Sequence, residues 1–160
     1  MTDVFRFAAQ AVPILIVDDD PDCRQLIRDA IEESSSGVVA PRVFAVSTGE
    51  EALLFLRREG KYGDAPRPGL VLMDIEMPGM GGQEALRAIR RDRRFADVAI
   101  VMMTGVTDDE QKRLAMANGA NSYTNKPTDA ERFMRTVACT ADYWLRIHQF
   151  PKGVPVSGAA

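Results

Sequence analysis

The run Leu70-Val71-Leu72-Met73 is apolar without a break and stops on a carboxylate, Asp74. A strand that does not alternate apolar with polar residues needs cover on both faces. Pro78 and the glycines Gly79, Gly81 and Gly82 end it abruptly. An ionised Asp is costly inside a core. It belongs at the strand's carboxyl end, where open α/β sheets form their ligand crevices. Alone, such an Asp serves equally well as a loop cap, so its neighbours decide its role.

A second buried run, Ile14-Leu15-Ile16-Val17, ends in Asp18-Asp19-Asp20. Pro21 then suits a helix's first turn, with Asp20 as N-cap. Cys23, Leu26, Ile27, Ala30 and Ile31 keep the spacing of one buried helix face, and residues 34–37 (Ser-Ser-Ser-Gly) end it. Arg42 to Val46 reads as a weaker strand at a sheet edge. Thr48 and Glu51 form a capping box, opening a helix that buries Ala52, Leu53 and Leu56 and stops at Gly60. The loop from Lys61 to Pro68 leads into the central strand. After it, a third helix carries Ala85, Leu86 and Ile89 on one face. Ala99 to Met103 is a fourth strand, ended by Thr104-Gly105. Thr107 and Glu110 cap the next helix, which Gly119 terminates. A short strand from Asn121 to Thr124 precedes Lys126-Pro127, and Thr128 with Glu131 caps the last helix. That helix has the longest stripe: Phe133, Met134, Val137, Ala138, Ala141, Trp144 and Leu145.

Five strands alternating with five helices predict a single doubly wound α/β domain. Its parallel sheet has helices on both faces and the strand order 2-1-3-4-5. Residues 1–11 read as a leader, 12–149 as the domain, and 150–160 as a disordered tail rich in Pro, Gly, Ser and Ala. No separate output domain is expected, since nothing after residue 150 has the makings of a DNA-binding fold.

Composition narrows the function. At 160 residues the chain suits one domain, and a net charge of -3 disfavours general nucleic-acid binding. The local basic run Arg87, Arg90, Arg91, Arg93 and Arg94 reads as a solvated helix face. No apolar run approaches the roughly 18 residues of a membrane span, and no signal peptide is visible. Cys23 and Cys139 lack metal-ligand spacing. Cys23, on a helix stripe, is expected to be a buried thiol. His148 is expected at the surface, and the chain is expected to be cytoplasmic.

The polar residues fall at strand ends. Asp18 and Asp19 end strand one, Asp74 ends strand three, Thr104 ends strand four, and Lys126 follows strand five. In the predicted order those strands are neighbours, so three carboxylates, a hydroxyl and an ammonium converge on one crevice. Each has a bland reading by itself; four coincidences at four adjacent strand ends do not. Clustered carboxylates call for a cation, and oxygen ligands with room for waters favour Mg2+. Asp19, Asp74 and a backbone carbonyl just after Asp74 can bind it directly, with a water held by Asp18. A cation and a Lys in one crevice are what a phosphoryl group needs to approach a carboxylate. Asp74 is then a nucleophile forming an aspartyl phosphate. Thr104 donates to a phosphoryl oxygen, Gly105 leaves space for the group, and Lys126 offsets its charge.

Val17-Asp18-Asp19, the stretch from Leu72 to Gly82 around Asp74, Met103-Thr104-Gly105 and Asn125-Lys126-Pro127 resemble response-regulator receiver domains. The resemblance covers roughly residues 12 to 145. It implies a flavodoxin-like receiver fold, a phosphoacceptor Asp74 and a histidine kinase as partner. It also implies a metal site at Asp18, Asp19, Asp74 and the Glu76 carbonyl, phosphoryl contacts from the backbone at Glu76 and Gly105, and a Thr104/Tyr123 switch pair. A cis bond before Pro127 is common in that family. The loop at Lys61 to Pro68 and the ending from Thr140 to Pro151 further resemble stand-alone receivers associated with bacterial phytochromes. That likeness points to a bacteriophytochrome as the kinase. It also points to a homodimer through the last helix, with Tyr143, Trp144 and Leu145 projecting past the sheet. The competing arrangement folds Trp144 back onto the leader near Phe5 and Phe7.

Two positions depart from the family pattern. Gly81 stands where Asp is usual, which predicts a looser loop after Asp74. Glu76 stands where Asn or a small residue is common, and it is expected to alter the lifetime of a phosphorylated state. The expected role is that of a signalling acceptor with autodephosphorylation, rather than an enzyme. The alternatives are a magnesium-dependent phosphatase using Asp74, which lacks the usual second Asp at Glu76 and a cap domain, and a receiver-like module that is never phosphorylated.

Overall fold

The two apolar runs pair with each other. In the computed structural model, which describes residues 12–34, 41–105 and 109–147, β1 (Ile14–Val17) lies parallel to β3 (Leu70–Asp74). Ile14 stands opposite Leu70 and Val17 opposite Met73. β2 (Val43–Val46) flanks β1, while β4 (Ala99–Thr104) and β5 (Ser122–Asn125) follow beyond β3. The sheet is five-stranded and parallel in the order 2-1-3-4-5, as the alternation predicts. The three inner strands are buried throughout. The polar strand β5, reading Ser-Tyr-Thr-Asn, takes the outer edge.

Five α-helices connect the strands: α1 (Pro21–Ser34), α2 (Gly49–Arg57), α3 (Gly82–Arg91), α4 (Asp109–Ala117) and α5 (Ala130–Asp142). Successive strand residues point to opposite faces, which splits each apolar run between two cores. Leu15, Val17, Val71, Met73, Ile100 and Met102 meet α2, α3 and α4 through Leu53, Leu56, Leu86, Ile89 and Ala115. Ile14, Ile16, Leu70, Leu72, Val101 and Met103 meet α1 and α5 through Ile27, Ile31, Phe133 and Val137. Each fully buried Leu or Ile contributes ~1.5–3 kcal/mol relative to exposure, so the sheet is a rigid base for whatever its carboxyl edge presents.

Local chemistry sets the helix starts. Asp20 Oδ1 accepts from Asp22 N at 2.9 Å, with Pro21 as first helical residue. Thr48 Oγ1 accepts from Glu51 N at 3.0 Å. Glu51 does not complete the capping box; its carboxylate accepts from Ser47 Oγ at 3.2 Å and Tyr62 Oη at 2.7 Å. The last helix is capped one residue later than expected. Asp129, not Thr128, sits in extended backbone and accepts from Arg132 N at 3.0 Å, with a charged acceptor in place of a hydroxyl. α2 ends before Gly60, because Arg58 itself turns left-handed at φ 57.

Three further expectations need correction. Trp144 does not project past the sheet: it is 6% exposed and packs into the α1–α5 core, leaving Tyr143 as the exposed aromatic. α5 runs on through a π-helical turn, Tyr143–Ile147, and Trp144 continues the buried face of Phe133, Val137 and Ala141. Arg90 is no solvated side chain; it is half-buried and donates to the carbonyls of Gly119, Phe95 and Val98 and to Asn121 Oδ1. Among the described residues no peptide bond is cis, so Lys126–Pro127 is trans, the intrinsically favoured isomer. The leader, the tail, His148, and the Thr107 cap lie outside the described residues, as does the proposed packing of Trp144 on Phe5 and Phe7. Among the described residues no helix is long and apolar enough to cross a membrane.

Candidate functional site

The ends of the four adjacent strands β1, β3, β4 and β5 do converge. Asp18 follows β1, Asp74 ends β3, Thr104 ends β4, and all three are buried, at 1%, 8% and 1% exposure. Asp19, the next residue along, is exposed. Lys126 follows β5 and is drawn in by a backbone bond, its N–H donating to Thr104 O at 2.7 Å. Its ammonium sits between two carboxylates, Nζ lying 2.6 Å from Asp18 Oδ2 and 3.0 Å from Asp74 Oδ2.

The remaining carboxylate oxygens are held by backbone. Asp18 Oδ1 accepts from Asp20 N at 2.9 Å, and Asp74 Oδ1 accepts from Glu76 N at 3.0 Å. Asp18, Asp19 and Asp74 each offer an oxygen within 4.8 Å of the others. Hard oxygen donors of this kind, one of them open to solvent, fit a divalent cation that keeps part of its water shell.

Electrostatics follows from burial and the shared lysine. Burial pushes the Asp74 carboxyl above its ordinary value, opposed by the charge and hydrogen bond of Lys126 and by the Glu76 N–H. Burial works against the Lys126 ammonium as well. The hydrogen bond to Asp18 and the charges of Asp74 and Asp18 outweigh it and hold that ammonium above its usual range. Asp74 is therefore a desolvated acid with a fixed cation at one oxygen. That arrangement suits nucleophilic attack on an anionic group, whose charge the lysine shares.

Other anticipated residues occupy different surroundings. Gly105 is exposed, and a Cβ there would meet nothing within 4 Å, so it fronts open space. Glu76 contributes its N–H to Asp74 while its own residue is exposed. Tyr123 stands opposite Met102 on β4, while Thr104 faces Asn125; Tyr123 is 40% exposed, with Lys112 Nζ 5.1 Å from its ring centroid.

The sequence reading missed several neighbours. Cys23 is half-buried, not buried, and its thiol lies beside Asp18; burial and that hydrogen bond push it up to about 12. Arg24 Nη1 donates to Asp18 O at 2.7 Å, fixing the acidic turn from α1. Their position one turn past the N-cap was the only available signal. Gly82 is a third: a Cβ there would fall 2.2 Å from Asp74 O, so only glycine lets α3 start so close to β3.

The receiver domain model of response regulators matches residues 14–138. The probable methanogenesis regulatory protein FilR2 of Methanothrix harundinacea is 34% identical over 139 residues, which span 86% of each chain. Response regulator Rcp1 of Synechocystis sp. is 23% identical over 138 residues, covering 86% of this chain and 92% of its own. The crystal structure of the phosphorylated cyanobacterial phytochrome response regulator RcpA superposes with a TM-score of 0.83 at 26% identity. That match covers 89% of this chain and 99% of its own.

Proposed function

Because the chain belongs to the response regulator receiver family, we propose that it is a stand-alone response regulator phosphorylated on Asp74 by a histidine kinase. The observation that carries this reading is the Lys126 ammonium seated between Asp18 and Asp74 at 2.6 and 3.0 Å, with Asp19 beside them. A bound Mg2+ would be held by Asp18, Asp19, Asp74 and the Glu76 carbonyl, and would neutralise phosphoryl charge. Asp74 attacks phosphorus, so an O–P bond forms as the P–N bond to the kinase's imidazole breaks. Lys126 binds a phosphoryl oxygen, and the Thr104 hydroxyl donates to another. The backbone N–H groups of Glu76, which donates to Asp74 Oδ1 before phosphorylation, and of Gly105 are further donors to the phosphoryl group in this reading.

Phosphorylation acts on the molecule by population shift. The Thr104 hydroxyl is drawn toward the phosphoryl group, and the Tyr123 ring, outward at rest, takes the vacated space. Thr104→Ala should still accept phosphate yet lose the conformational response; a full response in that variant would contradict the coupling. The likeness to the cyanobacterial phytochrome response regulator RcpA supports a bacteriophytochrome as kinase, and membership of the receiver family supports a cytoplasmic setting. Pairing of two copies along α5 belongs to the same reading. Its aromatic contact is Tyr143, 47% exposed, in place of buried Trp144. Sedimentation of Tyr143→Ser as a monomer and of the unaltered chain as a dimer supports this pairing, and a monomeric unaltered chain rules it out.

The test of the function is phosphotransfer. Incubation with a panel of autophosphorylated histidine kinases, bacteriophytochromes included, should give rapid transfer from one kinase and none to Asp74→Asn. No transfer from any of them, with turnover of a small phosphoester instead, would favour the phosphatase alternative.

A further inference from the structure

Helix α3 begins without a side-chain cap. Its N-cap residue is Gly81, at φ -68 and ψ 168, a position where Ser, Thr, Asp or Asn normally holds a free N–H. The loop before it carries the Glu76 carbonyl, and a loop this glycine-rich would ordinarily drift. It is held from outside. Glu50, in the first turn of α2, sets its Oε1 3.1 Å from Met80 N. Gly79, left-handed at φ +71, turns beneath the same oxygen, which would lie 3.4 Å from a Cβ there. Gly49 packs flush on this loop as well, since a Cβ there would come within 3.0 Å of Met80 O and 3.2 Å of Met80 Cγ. At the loop's base Gly82 N donates to Ile75 O at 3.0 Å. Residues 75–82 are thus closed at the base and pinned at the apex, with Glu76 between the two fixed points.

We infer that Glu50 is a positioning residue: its carboxylate fixes the β3–α3 loop, and through it the Glu76 carbonyl that completes the oxygen set for the cation. The inference rests on the reading of Asp18, Asp19 and Asp74 as the cation's carboxylate ligands. It also explains how the chain tolerates Gly81: the hold that a cap would supply from within α3 comes from α2.

The test is Mn2+ binding by the full chain, counted by electron paramagnetic resonance, together with amide hydrogen exchange at Met80 and Gly82 in the metal-free protein. Glu50→Ala should speed exchange at both amides and weaken Mn2+ binding about fivefold, the ~1 kcal/mol of one hydrogen bond. Glu50→Gln keeps the acceptor oxygen without the charge and should stay within about twofold of the unaltered chain. Gly81→Asn supplies a neutral cap where a Cβ meets only Ile75 O at 3.7 Å and Met77 O at 4.0 Å. Added to Glu50→Ala, it should tether the start of α3, and so restore slow exchange at Gly82 and tight binding together while Met80 N stays fast. Binding in Glu50→Ala within about twofold of the unaltered chain would overturn the inference. So would Glu50→Gln binding as weakly as Glu50→Ala, or slow exchange restored by Gly81→Asn without affinity. An unaltered chain that takes up no Mn2+ overturns the cation reading itself.

Discussion

Asp74 and Gly82 touch across the start of α3, and that contact decides how much freedom the acidic site has. A methyl group on Gly82 would drive into Asp74 O at 2.2 Å and Ile75 Cα at 2.7 Å, both backbone and unable to yield. Gly82→Ala should therefore destabilise the fold by at least ~2 kcal/mol in urea denaturation. A change under ~0.5 kcal/mol, the range of neutral surface substitutions, would mean the loop shifts freely. Glu76 is the other residue with a separable effect. It is exposed two residues from Asp74, where its negative charge would act on a water approaching a phosphorylated Asp74. Glu76→Asn should change the half-life of the phosphorylated state by more than about twofold in an electrostatic account; a half-life within that range makes the side chain a bystander. Asp18, Asp74, Thr104 and Lys126 were legible in the sequence because each ends or follows a strand of the predicted sheet. Glu50 was not, because its contact with Met80 N joins residues thirty apart, through a loop whose path no local pattern encodes.

At the scale of elements, α2 and the turn behind it are joined by an ion-assisted hydrogen bond from Tyr62 Oη to Glu51. That bond, with Ser47 and the Lys61 and Arg24 charges, holds the Glu51 carboxyl below its ordinary value, while burial opposes the shift. Burial and the same carboxylate push the Tyr62 hydroxyl up to about 12. An acid with a lowered folded pKa stabilises the fold above its unfolded value, and that contribution is lost as pH falls through the folded one. Glu51 is partly exposed, so the contribution is at most ~1 kcal/mol. Glu51→Gln should remove that increment of acid sensitivity from thermal melts taken between neutral pH and the carboxylate range; an unchanged pH slope would show the pair to be silent.

α5 illustrates where periodicity misleads. Its stripe correctly marked Phe133, Val137, Ala141 and Trp144 as one face, but the spacing alone could not show that the core still covers that face as far as Trp144. A buried Trp is a core residue first. Trp144→Ala should cost ~3–5 kcal/mol of stability by urea denaturation, and a loss below ~1 kcal/mol would contradict its burial. The Asp129 cap was misplaced by one residue for a related reason: two adjacent residues both had capping chemistry, and backbone conformation chose between them.

For the whole molecule, the fold was legible because strands alternating with helices, the inner ones apolar without a break, leave few ways to cover both faces of a parallel sheet. Its topology then brings the carboxylates and Lys126 to one edge without any local motif requiring it. The outward Tyr123 was not legible, since a strand residue at an edge can face solvent or core with the same sequence. The central claim is that this edge makes Asp74 the single phosphoacceptor. Intact mass after incubation with acetyl phosphate and Mg2+ tests it most directly. The account predicts one added phosphoryl group on the unaltered chain, and none on Asp74→Asn or on the unaltered chain in EDTA. Stoichiometric labelling of Asp74→Asn, or undiminished labelling in EDTA, would contradict it.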